Sequence, residues 1–117
     1  MATIKSYTDL EQSKKLAKIL PLQSADMQWI KMSEDGDPDA YRVGILVNPE
    51  LIDEDDIPCW SLAALLGVLP EASLNTFKDK KWNAMVKHND KMIYGDKDNP
   101  IDACYELILK LHELKNK

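Results

Sequence analysis

Glycine, cysteine and histidine are scarce in this chain, and each shortage excludes a class of chemistry. The four glycines are not clustered, so the glycine-rich loops that hold phosphate groups are absent. The soft metal ligands are limited to Cys59, Cys104, His88 and His112, and no two of them have the close spacing of a zinc site. We therefore predict no metal, no cofactor and no phosphate-binding loop.

Long hydrophobic runs are missing as well. The most apolar run, residues 60–70 (WSLAALLGVLP), is far shorter than the roughly 20 residues that cross a bilayer. Met1 begins a polar stretch rather than a signal peptide. The two cysteines have apolar neighbours, which favours buried, reduced thiols and leaves a disulfide between them open. We expect one cytoplasmic domain, residues 1–117, without a membrane segment.

The apolar run at residues 60–70 is the feature around which we predict the fold to be organised. A helix that is apolar on every face cannot lie on a wet surface, so we predict a central helix enclosed by other elements. Ser61 is expected to cap the start of this helix, and Pro70 is expected to end it.

Two further helices are predicted from their termini. Thr8 and Glu11 fit a capping box at the start of a first helix, which Pro21 ends. Asn99 fits the N-cap of the last helix, and Pro100 fits its first position.

Extended patterns predict five strands and the turns between them. Turn signals lie at residues 35–38 and 88–90, and an acidic loop is expected at residues 48–57. The order α-β-β-α-β-β-β-α then predicts an α+β domain with an antiparallel sheet and helices packed on one face. The predicted strands are residues 25–32, 41–47, 74–78, 81–87 and 91–95.

The net charge of −5 is unevenly distributed along the chain. Residues 1–71 carry six basic and thirteen acidic side chains, a charge of −7. Residues 72–117 carry nine lysines and seven acidic side chains, a charge of +2, and the two charges sum to −5. This balance argues against general nucleic-acid binding, which requires a broad basic surface.

Two acidic clusters fall short of a calcium site. Asp35, Asp37 and Asp39 resemble the start of a calcium loop, but Ala40 and Leu46 stand where that loop requires glycine and glutamate. We interpret the second cluster, residues 53–56, as a solvated acidic loop. A third hypothesis is that the acidic clusters at residues 34–39 and 53–56 imitate the charge of DNA and block a host defence protein.

The sequence shows no catalytic constellation. Ser61 lies outside any glycine-flanked elbow, and neither cysteine has a histidine nearby in sequence. Carboxylates are abundant, but no two are marked as an opposed acid–base pair. We therefore expect no enzymatic activity, and we assign no catalytic, metal-binding or cofactor-binding residue.

The clearest functional signal is a lysine-rich hairpin between residues 78 and 91. A basic hairpin that carries a tryptophan can neutralise and stack single-stranded nucleic acid. The alternative is a solvated strand face on which lysines protect a sheet edge. The candidate contact residues are Lys78, Lys80, Lys81, Trp82, Lys87 and Lys91.

Three sets of short runs resemble one group of proteins. They are residues 20–27 (LPLQSADM), residues 58–66 (PCWSLAALL) with 69–70 (LP), and residues 99–104 (NPIDAC) with 110–114 (KLHEL). These runs resemble small uncharacterised proteins of Bacteroidetes genomes, which often lie in phages or other mobile elements. The resemblance implies an accessory protein of a phage or mobile element, and it assigns no functional residue to this chain.

Our leading hypothesis is therefore a non-enzymatic, regulatory or accessory protein that acts by binding another protein. Tryptophan and methionine side chains would supply its anchors, or they would belong to the core, which is the role we favour for Trp29 and Trp60. A homodimer formed through a sheet edge or an apolar helix face belongs to this hypothesis. The alternative is a nucleic-acid-associated regulator that uses the lysine-rich hairpin.

Overall fold

The computed structural model describes residues 6–31, 41–46, 52, 56–70, 72–76 and 81–115. These residues form three α-helices and six strands, with a short 3-10 turn at Leu22–Ser24. The order is α1 (Leu10–Leu16), β1 (Met27–Lys31), β2 (Tyr41–Ile45), β3 (Ile57–Cys59), α2 (Leu62–Val68), β4 (Ser73–Thr76), β5 (Trp82–His88), β6 (Lys91–Lys97) and α3 (Pro100–Lys115). No helix within these ranges is both long enough and apolar enough to span a membrane.

The described strands form two separate antiparallel sheets of three strands each. In the first sheet, β1 lies between β2 and β3, so that Trp29 faces Val43 on one side and Ile57 on the other. In the second sheet, β5 lies between β4 and β6. The predicted α+β class and the antiparallel pairing are confirmed.

Strand β3 is an addition to the predicted order. The sequence indicates a loop up to residue 57, because acidic residues and Pro58 disfavour a strand. Proline has no N–H for a β-ladder and is therefore confined to edge strands and strand ends. β3 satisfies this restriction because it lies at the edge of the first sheet, where Cys59 faces Met27.

Helix α1 begins one residue later than the predicted capping box. Asp9 Oδ1 accepts a hydrogen bond from the backbone N of Gln12 at 2.8 Å, and Gln12 Oε1 accepts one from the backbone N of Asp9 at 3.1 Å. The prediction of Thr8 and Glu11 is wrong because Thr8 is fully buried. Its hydroxyl forms hydrogen bonds in the interior and does not cap the helix.

The Thr8 side chain connects the start of α1 to the first sheet and to the residue before α2. Its Oγ1 lies 2.7 Å from Ser13 Oγ and accepts a hydrogen bond from the backbone N of Trp60 at 3.2 Å. Trp29 Nε1 donates to Ser13 Oγ at 3.2 Å, and Cys59 Sγ donates to the Thr8 carbonyl at 3.4 Å. This network satisfies polar groups that the core would otherwise leave unpaired.

Replacing Thr8 with valine tests this network, because valine keeps the volume and removes the hydroxyl. The Trp60 N–H and the Ser13 hydroxyl then lose a partner in the interior. We expect the free energy of unfolding to fall by about 2 kcal/mol. Urea denaturation followed by tryptophan fluorescence measures this change. Thr8→Ser keeps the hydroxyl and is expected to lose only about 1 kcal/mol for its methyl group, so equal losses would contradict the role of the hydroxyl.

The apolar run at residues 60–70 is less enclosed than predicted. Leu65 of α2 is fully buried, whereas Ala63 and Gly67 are exposed. The prediction of a helix enclosed on every face is wrong, because alanine and glycine expose little apolar surface and can face water at small cost.

The most enclosed helix is α3, at the end of the described chain. Asn99 Oδ1 accepts a hydrogen bond from the backbone N of Asp102 at 2.8 Å, which confirms the predicted N-cap. A single hydrophobic cluster joins α3 to Leu65 of α2 and to β5 of the second sheet. It also includes Ala25, Leu46 and Trp60, which adjoin the strands of the first sheet. The buried α3 members of this cluster are Ile101, Ala103, Cys104, Leu107, Ile108 and Leu111.

Helix α3 packs against one face of the second sheet. Ala84 and Val86 of β5 are buried on this face, and Ile93 of β6 packs against the same cluster. Gly95 permits the close approach of β6, because a Cβ at this position would lie 2.1 Å from the carbonyl oxygen of Ala103. The side chains next to these residues along each strand therefore point to the opposite face.

The hairpin between β5 and β6 closes in a two-residue turn. Asn89 and Asp90 both have positive φ, at 50° and 67°, which are the values of a type I′ turn. Asparagine and aspartate adopt this conformation more readily than other residues that carry a Cβ. The turn predicted at residues 88–90 is confirmed.

Candidate interaction surface

The second sheet presents a side opposite α3, which we call the outer face. Because Gly95 faces α3, its neighbours Tyr94 and Asp96 point to the outer face. The register places Met85 opposite Tyr94, and it places Lys87 opposite Met92. The outer face comprises Ser73, Asn75, Asn83, Met85, Lys87, Met92, Tyr94 and Asp96.

An apolar patch lies on the part of the outer face that the edge strand β6 and the central strand β5 form. Met92 and Tyr94 are 44% and 43% exposed, respectively, although both are large hydrophobic side chains. The half-buried Met85 lies directly opposite Tyr94 and continues the patch onto the central strand. Methionine and tyrosine are both enriched at protein interfaces. Exposed apolar side chains grouped in this way are typical of an interaction site.

Polar groups bound the patch at both ends. At one end the exposed Lys87 forms an ion pair with Asp90, with its Nζ 3.8 Å from Oδ1. At the other end Asn83 Nδ2 donates a hydrogen bond to Asp96 Oδ1. The patch on the outer face therefore has the exposed Lys87 on one side and the exposed Asp96 on the other, whereas Asn83 beside Asp96 is only 5% exposed. Lys87 and Asp96 correspond to the polar rim of protein interfaces.

The structure divides the predicted nucleic-acid contact residues between the two faces of the sheet. Trp82 lies on the α3 side and is half-buried against the hydrophobic cluster, whereas Lys87 lies on the outer face. Lys91 lies on the same side as Trp82, beside the hairpin turn. Lys81 is exposed immediately before β5. The two remaining candidates, Lys78 and Lys80, lie outside the described residues.

The acidic clusters lie largely outside the part of the chain that the structure describes. Asp35, Asp37 and Asp39 are outside it, as are residues 53–55 and the turn predicted at 35–38. Asp56 is described, and its Oδ1 accepts a hydrogen bond from the backbone N of Lys31 at 3.1 Å. Among the described residues, no three His, Cys, Asp or Glu side chains are grouped so that they could hold a metal ion.

Ser61 and Asp26 form a hydrogen-bonded pair at the start of α2. The Ser61 hydroxyl donates to Asp26 Oδ2, and the Ser61 backbone N donates to Asp26 Oδ1 at 2.9 Å. The same hydroxyl accepts a hydrogen bond from the backbone N of Ala64 at 3.2 Å. These contacts are those of an N-cap held in place by a carboxylate, and they confirm the predicted capping role of Ser61.

Both cysteines are buried and carry free thiols, which confirms that prediction. Burial raises the pKa of Cys104 to about 11. Burial also raises the pKa of Cys59, and hydrogen bonds with Thr8 and Ser13 offset part of this effect. Because the thiolate is the nucleophilic form, a thiol with a raised pKa is unreactive at neutral pH. Cys104 therefore behaves as an interior apolar side chain, whereas Cys59 is a buried thiol within the hydrogen-bond network of Thr8.

The sequence interpretation does not identify the exposed apolar residues of the outer face, Met92 and Tyr94. Met92 and Tyr94 alternate along β6 with Ile93 and Gly95, and this alternation separates the two faces of the strand. It was available in the sequence as a period of two. What the sequence lacks is the knowledge of which face α3 covers.

Comparisons of the chain with protein-family models, with curated proteins and with solved structures find no match.

Proposed function

We propose that this protein is a non-enzymatic binding protein that recognises a protein partner through the outer face of its second sheet. The observation that carries this proposal is the exposure of Met92 and Tyr94, 44% and 43%, on the edge strand of a sheet whose other face is packed against α3. Side chains of this type contribute most of the binding energy at protein interfaces when a partner covers them.

The non-enzymatic part of the proposal is supported by the state of the candidate nucleophiles. The Ser61 hydroxyl is engaged in capping α2 and in its bond to Asp26. The thiols of Cys59 and Cys104 are buried, with raised pKa values. Free thiols are also the usual state of cysteine in the cytoplasm, which is the location we propose.

The resemblance to small proteins of Bacteroidetes mobile elements guides our proposal for the kind of partner that this protein binds. It favours an accessory factor that binds a protein of a phage, of a mobile element or of the host. A second copy of the chain is the simplest such partner, because most oligomers of soluble proteins are formed by identical chains.

Nucleic-acid binding is the alternative function, and the geometry gives it less support. Single-stranded nucleic acid requires an aromatic side chain and cations on one surface. Trp82 is half-buried on the α3 side, whereas Lys87 lies on the outer face with Asp90 within 3.8 Å. The alternative would have to use Lys87 together with Tyr94 on the outer face, or Lys81 or Lys91, instead of the predicted set around Trp82.

A double variant, Met92→Lys with Tyr94→Lys, tests the proposed surface. We expect affinity capture from host cells to recover one stoichiometric protein with the wild-type chain. The double variant is expected to bind that purified protein at least tenfold more weakly, because two interface anchors are replaced by charges. Titration calorimetry measures the two dissociation constants. If the partner is a second copy, light scattering shows a dimer for the wild-type chain and a monomer for the variant.

Two matched controls introduce the same lysine at exposed apolar positions elsewhere. Ile45 of β2 and Leu114 of α3 are 76% and 40% exposed, and neither belongs to the outer face. Ile45→Lys and Leu114→Lys are expected to bind the partner as the wild-type chain does. Unchanged binding by the double variant would refute the outer face as the interface. Capture that disappears after nuclease treatment would favour the nucleic-acid alternative.

A further inference from the structure

A pocket lies where three helices end, away from the outer face. Residues that follow α1, the last residues of α2 and the final turns of α3 form its walls. We propose that this pocket is a second, independent binding site, and that it takes a small aromatic carboxylic acid. The apolar walls are formed by Ile19, Leu20, Val68, Leu69, Ile108 and Leu111.

The size of the pocket fits a single aromatic ring. Its volume is about 150 Å³, and it is open to solvent on one side. An enclosed cavity of this volume lined by aliphatic side chains can hold benzene, so the pocket has room for one ring, which it would partly enclose. The floor consists of core residues, because Leu69, Ile108 and Leu111 are 7%, 4% and 5% exposed. Water against such walls finds few hydrogen-bond partners, so an apolar ring that replaces it gains free energy.

The positive charge of Lys115 at the pocket favours a ligand that carries a carboxylate. Lys115 lines the pocket and is exposed, and the half-buried His112 lies beside it in the last turn of α3. None of the nine described residues that line the pocket is acidic. A ring in the apolar part of the pocket would leave its carboxylate near the Lys115 ammonium group. The pairing is partly exposed to solvent and therefore contributes modestly to affinity.

Titration of the full chain with sodium benzoate, followed by methyl NMR, tests the proposal. We expect saturable shifts confined to the methyl groups that line the pocket, such as those of Ile19, Val68 and Leu111. For a ligand of this size we expect a dissociation constant on the order of 1 mM. The absence of saturation at about 20 mM benzoate, or saturation at methyl groups elsewhere, would overturn the proposal.

Two matched variants separate binding in the pocket from binding to the surface in general. Val68→Phe places a ring in the pocket and is expected to abolish benzoate binding. Leu114→Phe adds the same ring at an exposed position of α3 that does not line the pocket, and it is expected to bind as the wild-type chain does. Equal loss of binding in the two variants would overturn the proposal.

Comparison of benzoate with toluene tests the carboxylate. Lys115→Gln is expected to weaken benzoate binding about threefold and to leave toluene binding unchanged. Because Lys115 is exposed, this variant remains informative even if Val68→Phe does not fold. Equal effects of Lys115→Gln on both ligands would refute the selection of an acid. None of these outcomes depends on the outer face, so the two proposals succeed or fail separately.

Discussion

Replacement of Gly95 by alanine is expected to lower the free energy of unfolding by about 3 kcal/mol or more. A Cβ at this position would lie 2.1 Å from the Ala103 carbonyl oxygen and 3.1 Å from the Leu107 backbone N. Both atoms belong to the backbone of α3, so no side-chain rotation can relieve the contact. The helix would have to move away from the sheet and open the core that Leu107 closes.

The matched control is Gly67→Ala, which adds the same methyl group inside α2. Apart from its chain neighbours and the backbone of α2 itself, no heavy atom of the described residues lies within 4 Å of a Cβ at Gly67, so the substitution causes no clash with them. Alanine is a better helix former than glycine, and this variant is expected to gain about 0.5–1 kcal/mol. The two Gly→Ala changes are therefore expected to have opposite signs.

Urea denaturation and thermal melting measure both effects. For a chain of this size, a change of 1 kcal/mol moves the melting temperature by roughly 3–6 °C. Gly95→Ala is therefore expected to lower the melting temperature by roughly 10 °C or more. A Gly95→Ala variant with the same melting temperature as the wild-type chain would contradict the close approach of β6 to α3.

The parts of the fold that follow from local chemistry could be predicted from the sequence. The N-cap at Asn99 depends on a side chain and a backbone N–H only three residues apart. The turn at Asn89 and Asp90 depends on two residues that tolerate positive φ. The Ser61 cap has the same local origin. Each of these signals lies within a few residues of the structure that it produces.

The parts that depend on distant contacts could not be predicted in this way. Thr8 resembles an N-cap locally, but its hydroxyl bonds to the backbone N of Trp60, 52 residues away. β3 forms because β1 offers it a free edge, and the residues of β3 do not themselves favour a strand. The division into two sheets is likewise decided by which strands meet, which a period of two does not specify.

The candidate surface shows the same division between local and distant information. Alternation in β6 separates Tyr94 from Gly95, but only the packing of α3 decides which side is covered. Because Gly95 has no Cβ, the backbone of α3 can approach β6 on the side of the strand that Gly95 faces, and this side is therefore the covered one. Trp82, which the sequence offers as a stacking residue, consequently lies half-buried on the covered side, and Tyr94 lies exposed on the other.

Truncation of the Leu65 side chain in α2 is the second change for which we expect a large effect. Leu65 is fully buried and belongs to the core cluster, so Leu65→Ala is expected to lower the free energy of unfolding by about 3 kcal/mol. Part of this loss is the transfer of the side chain from the core, and part is the cavity that remains. Urea denaturation gives the value directly.

Leu66→Ala is the matched control, because it makes the identical change at the next residue of the same helix. Leu66 is only partly buried, so we expect its truncation to lower the free energy of unfolding by about 1 kcal/mol. A helix enclosed on every face, as the apolar run suggests, would lose similar amounts at both positions. Equal losses would therefore contradict the half-exposed position of α2, whereas a difference of about 2 kcal/mol would show that only one side of this helix supports the core.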